Sequence, residues 1–153
     1  MTSSTREVTE VRPDGGVVVG DDGSRCAAAA VRAAAEDARR RGTTLHVIRA
    51  WSIANAVRPT DVPPGIVPSM LEFEAATLAD EQARVRGLLD GTVPVEVHAV
   101  HANAAKALIC ASETAELLVV GTRGMGGFKN LVLGSVAEQC IRHAASPVLV
   151  VRA

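Results

Sequence analysis

Five short apolar runs, with a helical pattern between each successive pair, predict an α/β fold: a doubly wound five-stranded parallel sheet with helices on both faces, Rossmann-like in architecture. The order β-α-β-α-β-α-β-α-β makes neighbouring strands parallel, because every return passes through a helix, and such crossovers are right-handed. Composition agrees with this. Hydrophobic residues make up 48% of the chain but aromatics only 2%, so the core is built from Ala, Val, Leu and Ile, as in helices packed on a parallel sheet. A length of 153 residues suits one domain that buries its core without metal or disulfide support.

Residues 1–14 hold neither an apolar stretch nor a cleavage signature, and residues 1–15 are expected as a disordered N-terminal tail ahead of one domain over 16–153. The β-branched run within 16–20 reads as the first strand, buried on both faces. A helix starts at Ser24 with Ala27, Val31, Ala34, Ala35 and Ala38 on one face and ends in Arg39-Arg40-Arg41 before Gly42. That basic triplet suits a helix C-terminus electrostatically better than it suits a nucleic acid. Residues 45–50 form the second strand. Residues 52–68 then carry Pro59, Pro63, Pro64 and Pro68 with no usable period, which marks a functional loop and a candidate lid. Ser69-Met70-Leu71-Glu72 has the form of a capping box, and Leu71, Ala75, Leu78, Val85 and Leu89 are expected on the inner face of the second helix. Residues 94–101 alternate as a third strand, and 103–112 form a third helix with Ala104, Ala107, Leu108 and Ala111 facing in. Residues 116–120 are the fourth strand, 135–144 the fourth helix and 148–151 the fifth strand. An apolar strand left at a sheet edge needs a partner, so this last one is expected to pair with its copy in a homodimer.

The chemistry concentrates in the connection between the fourth strand and the fourth helix, residues 121–135. Gly121, Gly124 and Gly134 form G-x2-G-x9-G, followed at once by Ser135. Glycines let backbone amides turn inward around an anion, and the helix that follows presents unpaired amides and a positive dipole end to the same anion. The loop therefore reads as a phosphate cradle. In open α/β sheets the ligand lies beyond the carboxyl ends of the strands, where the strand order reverses. If the first and fourth strands are neighbours, the turn holding Asp21 and Asp22 faces the same crevice. Those carboxylates repel phosphate, whereas Arg123 and Lys129 lie in the glycine loop, so Asp22 is better matched to ribose hydroxyls. This division points to a nucleotide.

Other assignments fail on spacing. Walker A is absent because Lys129 follows Phe128 and precedes Asn130, and the dinucleotide fingerprint does not follow the first strand. A net charge of -1 gives no pull toward nucleic acid or a membrane surface. Cys26, Cys110 and Cys140 read as reduced thiols of a cytoplasmic protein, since there is no C-x-x-C. His46, His98, His101 and His143 are scattered over strands and a helix and read as structural or solvent-facing. No nucleophile and base pair has a local signature, so the chain is not expected to be an enzyme.

The stretches 17–24, 103–108, 117–124, 134–136 and 146–151 together resemble the universal stress protein family in its ATP-binding branch, and the resemblance covers nearly the whole chain from Gly16. It implies strand order 3-2-1-4-5, a cytoplasmic dimer paired through the fifth strand, and bound ATP or AMP, with cyclic AMP as a variation and Mg2+ as a companion of ATP left open. It also implies a nucleotide site at Gly20, Asp22, Ala50, Gly121, Thr122, Arg123, Gly124, Gly126, Gly127, Gly134, Ser135 and Val136. In that site Asp22 holds the ribose, the backbone near Ala50 the adenine edge, 121–127 the ribose and phosphates, and Gly134, Ser135 and Val136 the distal phosphates. Two departures from the family stand out. Ala102 replaces a frequent Gly and is expected to narrow the adenosine side, while Asp21 replaces a small apolar residue and is expected to add negative charge. The leading expectation is a stress-response regulator or sensor. The alternatives are a slow ATP-hydrolysing or adenylyl-transferring enzyme and a dimeric interaction module that binds no nucleotide.

Overall fold

The computed structural model describes residues 6–124 and 132–153. Strands and helices alternate as β1 (Val17–Gly20), α1 (Arg25–Arg41), β2 (Leu45–Trp51), α2 (Met70–Leu88), β3 (Val95–His101), α3 (Ala104–Ser112), β4 (Leu117–Gly121), α4 (Ser135–His143) and β5 (Val148–Val151). The strands make one parallel sheet in the order β3-β2-β1-β4-β5, as expected. β1 is therefore the middle strand, covered on both faces, and its three valines are fully buried.

Alternation along the strands sorts the core into two layers. Val17, Val19, Leu45, Val47, Leu117 and Val119 pack under Ala30, Val31, Ala34 and Ala38 of α1 and Val85 of α2. On the opposite face Val18, Ile48, Val100, Leu118 and Val120 meet Ala107, Leu108 and Ala111 of α3 and Ala137 and Cys140 of α4. Each such Val, Leu or Ile contributes roughly 1.5–3 kcal/mol by leaving water. Helix ends follow local chemistry. Ser24, Ser69 and Asn103 accept from the amides of Ala27, Glu72 and Lys106, and α1 closes on Gly42 in the left-handed conformation (φ 65).

Away from the cleft, the structure departs from the sequence expectations in three places. On α2 the buried stripe is Phe73, Thr77, Glu81 and Val85, while Leu71 and Ala75 are exposed. The reason is polar bonding: Thr77 Oγ1 accepts from the Val57 amide at 3.0 Å, and Glu81 faces Arg49 at 3.5 Å. The candidate lid is also anchored. Pro59 and Pro68 are buried, and the Arg58 guanidinium donates to the carbonyls of Pro63 (3.1 Å) and Ile66 (2.8 Å). Finally, residues 6–15 lie against the domain rather than apart from it. The Val8 carbonyl accepts from the His101 amide at 2.8 Å, Arg12 bonds Glu113 at 2.8 Å, and Val11 packs on the α3–α4 layer. Residues 1–5 of the expected tail lie outside the described residues.

Candidate functional site

Because β1 and β4 are hydrogen-bonded neighbours, the turns that follow them open onto one crevice at the carboxyl end of the sheet. A cleft of about 410 Å³ occupies this position, within the usual size for a small-molecule site. Its floor and one wall are apolar, formed by Ala27, Ile48, Ala104, Leu108, Val120 and Ala137. Its rim is polar backbone and short side chains. Every expected site residue within the described parts lines it: Gly20, Asp22, Ala50, Gly121, Thr122, Arg123, Gly124, Gly134, Ser135 and Val136. Gly126, Gly127 and Lys129 lie outside the described residues. No residue of the 52–68 loop lines the cleft.

The glycines serve distinct purposes. A Cβ on Gly20 would come within 2.8 Å of Leu108 Cδ1, and one on Gly121 within 2.9 Å of Cys26 Cβ. Both positions therefore let helices α3 and α1 close on the strand ends. Gly124 differs from them. A Cβ there would run into Asp22 Oδ2, so the acidic turn and the glycine loop touch across the crevice. The Gly134 amide donates to the Thr122 carbonyl at 2.6 Å, which ties the two ends of the loop together. That amide is thus already committed. The first-turn amides of α4 lack an intrahelical acceptor, and Gly134 has no side chain with which to cap them, unlike the cap residues of the other three helices. Ser135 and Val136 accordingly present a positive helix end to the cleft.

The two acids after β1 behave differently. Asp22 is exposed, and its Oδ1 accepts from the Ser24 amide at 2.9 Å. Asp21 is buried and gripped by the Arg84 guanidinium through contacts of 2.7 and 3.2 Å, with a third bond from the Gly23 amide at 3.0 Å. Burial raises the Asp21 carboxyl, but hydrogen bonds from Glu81 and Arg84 outweigh it and hold the group below the usual carboxylate range. Glu81 goes the other way, pushed up to about 9 by burial and by its neighbour Asp21. Among the described residues its buried Oε1 meets no donor, and a protonated Glu81 carboxyl supplies a donor toward Asp21. Asp21 therefore delivers its charge to Arg84 rather than to the cleft, which corrects the expected repulsion. Ala102 packs against the α3–α4 layer and is not among the cleft-lining residues.

The Arg84–Asp21–Glu81 cluster was not legible in the sequence as part of this region. Arg84 and Glu81 lie 60 or more residues from Asp21 on a helix whose polar positions look solvent-facing, and only the crossover of α2 over the sheet brings them together. The apolar wall was equally invisible as a wall, since its members belong to five different elements.

Comparison with known proteins places this geometry in a family. The family model for the universal stress protein family matches residues 16–152. A universal stress protein of Mycobacterium tuberculosis is 36% identical over 147 residues, covering 92% of this chain and 44% of the relative. A universal stress protein of Mycolicibacterium smegmatis is 35% identical, covering 89% of this chain and 45% of the relative. The chain thus spans about half the length of these curated relatives. Among solved structures, a universal stress protein in complex with cAMP is 26% identical with a TM-score of 0.61, covering 90% of this chain and 96% of that one. A family member from Burkholderia pseudomallei is 28% identical with a TM-score of 0.56, also covering 90% and 96%. Fold, sheet order and sequence agree, and the chain belongs to the universal stress protein family.

Proposed function

We propose that the cleft binds an adenine mononucleotide, ATP, AMP or cyclic AMP, and that occupancy is read by partners rather than consumed in a reaction. The observation that carries this reading is the contact of the Asp22 turn with Gly124 beside the uncapped end of α4. One crevice thereby offers a carboxylate for ribose hydroxyls and free amides for phosphate. The apolar wall of Ile48, Leu108 and Val120 suits a base, with the Ala50 backbone at its edge. A solved relative in complex with cAMP, 26% identical, supports the same ligand class.

The residue roles follow the geometry. Asp22 holds the ribose, the 121–124 backbone the ribose and first phosphate, and the amides of Ser135 and Val136 with the Ser135 hydroxyl the distal phosphates. Gly134 shapes the loop mouth instead of donating, because its amide is spent on Thr122. Mg2+ accompanying ATP would be held chiefly by the phosphates, with Asp22 and Ser135 as the nearby oxygen donors. The protein acts in the cytoplasm as a homodimer joined through β5, whose Leu149 is exposed. It does so without turnover, since Asp21 is paired with Arg84 and Asp22 is taken up by the ribose.

Thermal unfolding with each nucleotide tests the binding. Ligand at about 100 times its dissociation constant adds about 2.7 kcal/mol, or roughly 5–10 °C for a domain of this size. No shift with millimolar ATP, AMP or cyclic AMP removes the proposal. Release of phosphate or pyrophosphate from ATP with Mg2+ present would favour an enzyme instead. For the dimer, Leu149→Lys is expected to halve the mass measured by light scattering.

A further inference from the structure

At the end of the sheet opposite the cleft, β2 and β3 bring two imidazoles and a carboxylate together. His46 is the second residue of β2 and lies in register with Glu96, while His98 stands two residues along from Glu96 on β3. Residues two apart on a strand share a face, so all three point to the side of the sheet that carries α3 and α4. β3 is the edge strand, and Glu96 reaches solvent there. Side-chain exposure grades from 7% at His46 through 22% at His98 to 62% at Glu96.

The three donor atoms form a small triangle. His46 Nδ1 lies 3.1 Å from His98 Nε2 and 3.4 Å from Glu96 Oε2, and His98 Nε2 lies 3.8 Å from the same oxygen. A tetrahedral metal with bonds of about 2.0–2.1 Å needs its donors about 3.3–3.4 Å apart, which is the mean size of this triangle. From these distances we infer a second ligand site, in which His46, His98 and Glu96 bind one divalent transition-metal cation, zinc by preference, with water in the fourth position. Two nitrogens and one oxygen match zinc and its neighbours, whereas calcium and magnesium take oxygen donors. Among the described residues this is the one group of three or more His, Cys, Asp or Glu with its donor atoms so gathered.

Further features fit a metal. In the apo protein the 3.1 Å contact between the rings is a hydrogen bond through one proton, and on metal binding that proton moves to the other nitrogen of its own ring, which frees both facing nitrogens as ligands. None of the three residues lines the nucleotide cleft, so the site is independent of the reading given above. Its effect on the fold would be to tie the edge strand to its neighbour.

Titration calorimetry with Zn2+ on tag-free, nucleotide-free protein tests the inference. One ion per chain is expected. His98→Asn and Glu96→Gln, both at partly or well exposed positions, should each weaken it by at least the 10- to 100-fold that loss of an outer-shell partner costs. His46→Asn should do the same, and circular dichroism checks its fold, with the other two variants deciding the matter if it unfolds. Substitution by Co2+ should give the visible spectrum of a four-coordinate nitrogen and oxygen site. Parent-like zinc binding in both His98→Asn and Glu96→Gln, no saturable binding in the parent, or a cobalt spectrum with a thiolate charge-transfer band would each overturn the assignment. Nucleotide-induced thermal shifts should be the same in parent and variants, so failure here leaves the proposed function standing, and the converse also holds.

Discussion

The two faces of the sheet approach the cleft with different chemistry. On the α3–α4 side the buried side chains are mainly apolar, Ala107, Leu108, Ala111, Ala137 and Cys140 against Val18, Leu118 and Val120, with His46 and Ser112 as buried polar exceptions away from the cleft. On the α2 side the same depth holds Asp21, Thr77 and Glu81, with Arg84 and Arg49 reaching in from the rim. An apolar face is stabilised by area and tolerates adjustment. A buried ionic face is stabilised only as a complete set, because each charge is costly without its partner. The contrast shows why one side of the site can vary in shape while the other is fixed in geometry.

Breaking one member on each face should expose that difference. Arg84→Ala leaves Asp21, whose side chain is fully buried, without its guanidinium and should cost about 3–5 kcal/mol in urea unfolding. Adding Asp21→Asn should recover part of that loss. Leu118→Ala on the apolar face should cost about 2–5 kcal/mol, with no neighbouring substitution restoring it and no dependence on pH. Equal rescue on both faces, or none on either, would erase the distinction.

The pH dependence is the next largest effect. Glu81 is raised in the folded protein to about 9 from an ordinary value of 4.5, so between these limits the folded state binds the extra proton. Its contribution is complete below about pH 4.5 and is lost as pH rises toward 9. Asp21, held below its ordinary 3.8, contributes in the opposite sense, present at higher pH and lost in strong acid. The urea midpoint of the parent should therefore decline from pH 5 to 9, and Glu81→Gln should flatten that decline. A variant that keeps the slope would show that the proton resides elsewhere.

Where the two faces meet, Gly124→Val should displace Asp22 and weaken nucleotide binding at least tenfold, about 1.4 kcal/mol, in calorimetry. Asp22→Ala should weaken it similarly. The double variant should be little worse than either single one, because both act through the same carboxylate. Additive losses would separate the two turns.

The apolar periodicities were sufficient for the sheet, its helices and the meeting of the 21–22 turn with the 121–124 loop. Val17, Leu45, Leu117 and their neighbours have no other good place than a covered parallel sheet. What failed was the inward face of α2, where hydrophobicity favoured Leu71 and Ala75 and the structure buries Thr77 and Glu81. Polar residues are placed by partners far away in sequence, and no local period encodes a bond between Arg84 and Asp21. For the same reason His46 and His98 read as scattered. Their proximity comes from strand register, which spacing along the chain does not reveal. Residues 6–12 contain no apolar run, so their docking through Val8 and Arg12 was equally silent.

That docked segment bears on how copies of this chain can assemble. The Val8 carbonyl takes up the amide of His101 at the end of β3, and the rest of that edge presents Glu96 and His98. The other edge, β5, is an uninterrupted Val-Leu-Val-Val. A sheet open at both margins can add copies at each and extend into a fibre. Were copies to pair through β5 as proposed, a far margin blunted by charge and by the N-terminal segment would leave no second edge to extend, and a symmetric pairing would stop growth at two.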